Sequence, residues 1–316
     1  TIRIVNTARY LFRGGWLCLS LCCLYCLSGC IREDRADCPP ETEDRFVVLK
    51  IIDETTGRDI TETGEAGSAV LYLFSPEGYF VGRAFVTGEQ IVYRAPVLLP
   101  VEALGRCHVS AWTNAGAGQL FHSPAQGSGI EERAVSLIEG KAFHGTPDDL
   151  FFGHARLAPV GAAGPEVITL ARKNARMRIT VRGLDRRIPE DRYYLTVEIP
   201  NDGYDFVGNP TAGTARVRRT GAFHDNGDFS TDEAFNLIHT DPAVSPAGGV
   251  TVNLYEKALG RSADRLIASV TDDDGRPISL PAGRTVNLLI DLNEGEGLSV
   301  YTEITPWDEI YQWDIW

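Results

Sequence analysis

The chain carries 30 Lys and Arg against 43 Asp and Glu over 316 residues, a formal net charge of −13. That balance excludes a nucleic-acid binder, which needs a basic surface to neutralise phosphates. An apolar fraction of 43% is neither that of a disordered chain nor that of a polytopic membrane protein, and the length allows about two domains at roughly 100–200 residues each.

The first predicted element is not part of a fold. Arg3, Arg9 and Arg13 give a basic start, and no acid precedes Glu33. Trp16 to Leu27 is then apolar apart from Ser20 and Tyr25, and five of the seven cysteines fall within the first 30 residues. A basic stretch followed by an apolar run of about 12 residues is the pattern of a secretion signal, whereas a spanning helix needs about 20. Leu27-Ser28-Gly29-Cys30 follows and resembles the bacterial lipobox, in which small residues precede an obligatory Cys. Residues 1–29 are therefore expected to be a lipoprotein signal peptide, with Cys30 as the lipid-attachment site. Removing them takes away three arginines and no acid, so the charge becomes −16. Several acyl chains, at about 0.8 kcal/mol per buried methylene, hold such a chain on a membrane.

Residues 30–43 are expected to form a lipidated acidic tether, carrying Glu33, Asp34 and Asp37 before Cys38-Pro39-Pro40. This is a solvated spacer on its own chemistry. The acids just after the lipid Cys also resemble the surface-export signal of Bacteroides-type lipoproteins.

Beyond the tether, no window of 12 or more residues spaces its apolar side chains as a helix does. Short runs between turn residues predict strands instead. Phe46–Ile52 comes first, then Ala69–Phe74 ahead of a Ser75-Pro76-Glu77-Gly78 turn. Tyr79–Val86 follows, with Gly82 as a candidate bulge, then Ile91–Leu99 and Cys107–Thr113. Later runs include Val167–Ala171, Met177–Val181, Tyr193–Ile199, Val250–Tyr255, Leu266–Val270, Val286–Leu292, Leu298–Ile304 and Ile310–Trp316. Met177, Ile179 and Val181 alternate with Arg176, Arg178, Thr180 and Arg182, and Tyr193, Leu195 and Val197 alternate with Tyr194, Thr196 and Glu198. Period two means one buried and one wet face. The fold class is all-β, antiparallel sheets packed as sandwiches, with a break near residue 173 dividing 44–173 from 174–316.

No catalytic constellation, metal site or cofactor motif emerges. His144 and His154 flank the nine-residue stretch Gly145–Gly153, and both read as loop residues beside strand ends. Asp225-Asn226-Gly227-Asp228 and Asp272-Asp273-Asp274-Gly275 lack the ligand spacing of a calcium loop and read as hairpin turns. Gly140-Lys141 is followed by Ala142, with Val135 where a phosphate loop needs its first glycine. Once Cys30 is acylated, Cys38 and Cys107 are the remaining thiols. In an oxidising compartment they either pair or stay as two separate thiols, one of them in a strand.

Four stretches carry a family likeness when taken in order. They are Cys30 to Pro39 (C-I-R-E-D-R-A-D-C-P), Val70 to Gly78, Cys107 to Asn114 with its Ala111-Trp112, and Asp148-Asp149-Leu150-Phe151-Phe152-Gly153 followed by the basic strand Arg172 to Ile179. Together they resemble the fimbrial anchor lipoproteins of type V pili, a family that includes the FimB-like and minor-fimbrium anchoring subunits. One departure is Thr113, where a glycine often follows the Trp.

The resemblance implies two transthyretin-like β-sandwich domains in tandem, on the cell surface, held to the outer membrane by the N-terminal acyl chains at the base of a fimbrium. It implies pilin subunits as partners, joined by strand addition, in which main-chain hydrogen bonds give strength. Trp307, Trp313 and Trp316 crowd the last ten residues. Ile310, Tyr311, Trp313, Ile315 and Trp316 are therefore candidates for a donated strand. The other reading is an edge strand that closes its own domain. As a whole, the chain reads as a non-enzymatic anchor with no small-molecule substrate. A surface glycan-binding lipoprotein is the alternative, and would need an exposed aromatic platform on one sheet face.

Overall fold

The computed structural model describes residues 44–100, 106–116, 118–158, 164–240, 249–260, 262–293 and 297–313. The expected signal peptide, Cys30, Cys38 and the tether lie outside them, as do Ile315 and Trp316. The first half supplies β1 (Phe46–Asp53), β2 (Arg58–Asp59), β3 (Ser68–Phe74), β4 (Phe80–Thr87), a short helix α1 (Gly88–Val92) and β5 (Val97–Leu98). It continues through β6 (Cys107–Thr113), β7 (Gln119–Phe121), β8 (Arg133–Leu137), β9 (Phe151–Leu157) and β10 (Glu166–Arg172). The second half begins with β11 (Asn174–Arg182), β12 (Tyr193–Ile199), β13 (Gly203–Asp205), β14 (Ala215–Arg219), β15 (Gly221–Phe223), β16 (Phe229–Thr231) and β17 (Phe235–Ile238). It ends with β18 (Thr251–Glu256), β19 (Arg265–Val270), β20 (Asp272–Asp273), β21 (Arg276–Pro277), β22 (Arg284–Asp291) and β23 (Ser299–Pro306).

The first sheet runs β2-β1-β10-β9-β6-β3-β4, with β5 also on β1; the second is the short β13-β8-β7. The third runs β15-β16-β11-β22-β23, with β17 also on β11, and the fourth is β14-β12-β18-β19. The chain is thus all-β, as its alternating runs predict. Its pairings are antiparallel except at two seams, β1 with β10 and β11 with β22. Each seam joins the first strand of a half to one near its end, a pairing that only a long connection permits. Lys173 alone separates β10 from β11. Yet β13 of the second half pairs with β8 of the first, and residues 43–316 cohere as one unit.

β3 explains the first sheet. Ala69, Leu71 and Leu73 enter one core with Val47, Leu49, Ile51 and Ile91, while Val70, Tyr72 and Phe74 enter another with Trp112, Val135 and Tyr204. Both faces are covered, so the strand reads as an unbroken apolar run and not as an alternation. The second core continues into the second half, through Met177, Ile179, Leu195, Val197, Val252, Leu288 and Ile290. Trp112 is fully buried at the junction, its ring 4.4 Å from Phe152 and 5.5 Å from Tyr204. The glycine that ends the Asp148–Gly153 stretch has a steric reason: a Cβ on Gly153 would lie 2.3 Å from the Thr169 carbonyl oxygen.

Four local expectations are corrected. Ile91–Leu99 is not a strand, because Gly88–Val92 turns into α1 before the two residues of β5. The cause is a capping box: Thr87 Oγ1 accepts from the Gln90 amide at 3.2 Å, and Gln90 Oε1 accepts from the Thr87 amide at 2.9 Å. In β4 the extra residue is Val81 and not Gly82, since Leu73 faces Gly82 while Phe74 faces Phe80. The second face of β12 is not wet: Tyr194 and Thr196 are buried, with Arg218 stacked 3.8 Å above the Tyr194 ring. His154 lies inside β9 and not at a strand end.

Candidate functional site

The start of β1 is held at a fixed point. Arg45 is only 6% exposed, and its guanidinium donates to Glu166 Oε1 at 2.8 Å, to the Ala158 carbonyl and, at 3.4 Å, to Cys107 Sγ. These contacts tie the start of β1 to both ends of the connection between β9 and β10. Cys107 is buried in β6, and burial pushes its thiol pKa up. Cys107 is the only cysteine among the described residues. Sequence patterning did not single out Arg45, whose role depends on strands 62 and 121 residues away.

The far end of the chain folds back. β23 stops at Pro306, which has no amide to extend the ladder. Glu309 N then donates to the Pro306 carbonyl at 3.1 Å, and Tyr311 N donates to Asn287 Oδ1 at 3.2 Å. Trp307 is 6% exposed, with the Arg172 and Arg176 guanidinium carbons 4.0 and 4.3 Å from its ring. Trp313 packs against Tyr311 at 4.9 Å and Tyr301 at 6.4 Å. The expected strand over Ile310–Trp316 is corrected on this account: Ile310 to Trp313 form no strand, because their anchorage is a side-chain amide and an arginine clamp. Of the candidate donor residues, Ile310, Tyr311 and Trp313 share this segment, while Ile315 and Trp316 lie outside the described residues. The alternation of β11 marks Arg176 only as part of a polar face; its aromatic guest, Trp307, lies 131 residues later.

Arg172 is the hub of that clamp. It is 8% exposed, pairs with Asp149 at 2.8 Å and with Glu65, and lies 4.6 Å from the Phe151 ring. One side chain therefore joins a loop of the first sheet, β9, β10 and the C-terminal segment.

Strand edges differ in how they are closed. The β14 edge is covered by His144, whose amide donates to the Arg216 carbonyl at 2.7 Å and whose Nδ1 accepts from the Arg216 amide at 3.1 Å. On β23, the Thr302 amide donates to Asp273 Oδ2 at 3.0 Å, a side-chain stopper from the β20-β21 hairpin. β4 has one strand neighbour, β3. Its first residue is occupied, with Phe80 N donating to the Ser128 carbonyl at 2.8 Å. Farther along, Phe85 is 66% exposed beneath the Arg83 guanidinium at 5.2 Å.

His144 and His154 do not converge. His154 Nε2 sits 3.2 Å from His108 Nδ1 with the rings stacked, and burial followed by the charges of His108 and Arg156 lowers its pKa. Among the described residues no three His, Cys, Asp or Glu side chains gather as a metal site. Both Asp-rich stretches are hairpin turns, between β15 and β16 and between β20 and β21. Asp274 at φ +50° and Gly275 at φ +76° show why that sequence suits the tighter one. No helix among the described residues is long and apolar enough to cross a membrane.

Comparison with known proteins fits this architecture. The model of the family described as fimbrillin-A associated anchor proteins Mfa1 and Mfa2 matches residues 35–313, and the chain belongs to that family. It is a family of fimbrial anchors and not of enzymes. The chain is 26% identical over 299 residues to a major fimbrium anchoring subunit FimB of Porphyromonas gingivalis, covering 90% of this chain and 92% of that protein. A second FimB sequence of Porphyromonas gingivalis is 27% identical over 300 residues, covering 90% and 91%. Among solved structures, the fimbrial anchor protein Mfa2 from Porphyromonas gingivalis superposes with a TM-score of 0.61 at 14% identity, over 84% of this chain and 97% of that one. A Bacteroides thetaiotaomicron structure described as a candidate polysaccharide binding protein gives 0.63 at 14%, over 85% and 98%. At such identities the structures speak for the fold alone.

Proposed function

We propose that this chain is a surface-exposed outer-membrane lipoprotein that holds a fimbrium to the cell, with Cys30 carrying the lipid and a basal pilin as partner. The observation that carries the reading is the family match from residue 35 to residue 313, which includes the Cys38-Pro39 stretch after the lipobox. The test is replacement of the gene by a Cys30→Ser version. Fimbriae shed into the medium are the expected outcome, and cells that keep normal surface fimbriae would refute lipid anchoring through this residue.

Three finer parts belong to the same proposal. The chain divides at Lys173 into tandem sandwiches, a division supported by the parallel seam that closes each half. Cys38 pairs with Cys107: Arg45, which touches the Cys107 sulfur, is seven positions after Cys38, and seven extended steps span up to about 25 Å. Peptide mapping without reductant tests the pair, and a carboxamidomethylated Cys107 would count against it. The joint with pilin is a strand addition, for which the Arg83–Thr87 stretch of β4 is the supported acceptor edge and the segment after Trp307 the candidate donor. Deleting residues 310–316 separates the two, because it removes the donor candidate and leaves the Trp307 clamp and β4 intact. Retained pilin binding by that folded variant would rule out donation from the C-terminal segment.

A further inference from the structure

β1 has the sequence of a strand covered on both sides but is covered on one. Phe46 to Ile52 is apolar apart from Lys50, as in strands buried on both faces. Val47, Leu49 and Ile51 enter the core that holds Leu71 and Ile168. Phe46, Val48 and Ile52 therefore point the other way, and Phe46 is 38% exposed there. Leu98 of β5 is opposite Phe46 and 49% exposed, and Val167 of β10 is opposite Val48 and 58% exposed. Phe46, Val48, Leu98 and Val167 thus share one open apolar patch across neighbouring strands. Patches of this kind mark protein or membrane contacts.

The register fixes where the patch is in the molecule. β1 and β10 run parallel, and β10 passes through Lys173 into the second half. The second half is therefore at the ends of both strands and the patch is at their starts, with Val167 about 20 Å along the strand from Lys173. The patch is also where the tether arrives, since Phe46 is 16 positions after Cys30. The β4 edge is at the opposite extreme. Phe85 is opposite Val70, Val70 opposite Trp112, Trp112 opposite Phe152, Phe152 opposite Ala171 and Ala171 opposite Ile52. Phe85 is thus level with Ile52 and five strand spacings, about 24 Å, from β1.

Charge narrows the partner. The residues of β1, β5, β9 and β10 on this face include Lys50, His154 and an exposed Arg156, but no Asp or Glu. The chain as a whole has 13 more acids than bases. On the neighbouring β2, Asp59 is taken by Arg94 at 3.0 Å and Lys50 at 3.7 Å. A bilayer surface accepts apolar side chains at its acyl boundary and basic ones at its phosphates, and disfavours carboxylates. We propose that this patch rests on the lipid surface beside the tether, which turns the Arg83–Thr87 edge of β4 away from the membrane. The inference rests on the reading of the chain as a lipid-held fimbrial anchor.

Hydroxyl-radical footprinting of the mature chain, residues 30–316, tests it. The acylated chain in vesicles of phosphatidylethanolamine and phosphatidylglycerol is compared with the same chain made without acyl groups, in buffer. Phe46, Leu98 and Val167 are expected to lose most of their oxidation on the vesicles, while the exposed Phe85 and Tyr93 keep theirs. Leu98→Asp, or Val167→Asp from the neighbouring strand, should restore oxidation of the other two residues, and Phe85→Asp should not. Intact mass reports acylation separately. An unacylated chain from cells would refute the anchoring reading, whereas an acylated chain with an unprotected patch would refute the docking alone. Protection without vesicles would assign the patch to the tether or to a second copy, and protection only on adding pilin would assign it to the fimbrium; either would overturn the proposal.

Discussion

The first half of the described chain buries the central strands of its large sheet, β3 and β6, on both faces, whereas the second half keeps one face of its third sheet polar and lays the C-terminal segment across it. In β3 every residue after Ser68 is buried, while in β11 Met177, Ile179 and Val181 are buried and Arg176, Arg178 and Arg182 are half-exposed. The consequence is a division of labour between two kinds of contact. The two-faced sheet is held by apolar area in two cores. The arginine face is held by directional contacts: Arg182 with Asp228 at 3.2 Å, Arg176 with Asn236 at 3.1 Å, and both Arg172 and Arg176 on Trp307. Contacts of the first kind resist any single deletion of charge. Those of the second can be released without opening a core.

Substitutions break this contrast in order of expected size. Trp112→Ala empties the junction shared by both halves and should cost about 3–5 kcal/mol in urea unfolding. Because the core is continuous, the loss should appear in one transition; two separated transitions would mean that the halves do not share a core. Arg172→Ala should cost about 2–4 kcal/mol, below the full value for a broken buried pair because Glu65 and Asp149 are partly solvated. Trp307→Ala should cost about 1–3 kcal/mol. Its signature is faster amide exchange in residues 307–313 with β11 protection unchanged, and equal loosening of both would show that the segment is part of the core. Thr87→Ala removes one arm of the α1 capping box and should cost about 1 kcal/mol, measured by thermal melting.

The smallest effect is a pH dependence confined to the first half. His122 and His154 have pKa values lowered from 6.5, in each case chiefly by burial. The folded state therefore resists a proton that the unfolded chain accepts. Stability from these groups is complete above about pH 6.5 and declines as pH falls from there toward their folded values. His154→Gln should flatten part of that slope in melting temperature between pH 7 and 5, and an unchanged slope would assign it elsewhere.

What could be read in the sequence followed from local physics. The Asp-rich turns, the alternation of Met177–Val181 and the apolar run of Val70–Phe74 each express a period or a turn preference within ten residues. The same locality misled at Ile91, where a capping box formed by Thr87 and Gln90 outweighed an apolar run. It misled again at Ile310–Trp313, where alternation is present but β23 ends at Pro306 and the Tyr311 amide goes to the Asn287 side chain.

The sequence by itself determined the all-β class, the positions of most strands and the family, because strand periodicity and motif order are properties of neighbouring residues. Only the tertiary structure decided that β1 runs parallel to β10 and β11 to β22, that Arg45 reaches Cys107, and that Trp307 rests between Arg172 and Arg176. Those partners are from 62 to 135 residues apart in the chain. No local pattern encodes such a meeting; it follows from which sheet edges and faces remain to be covered once each half has closed.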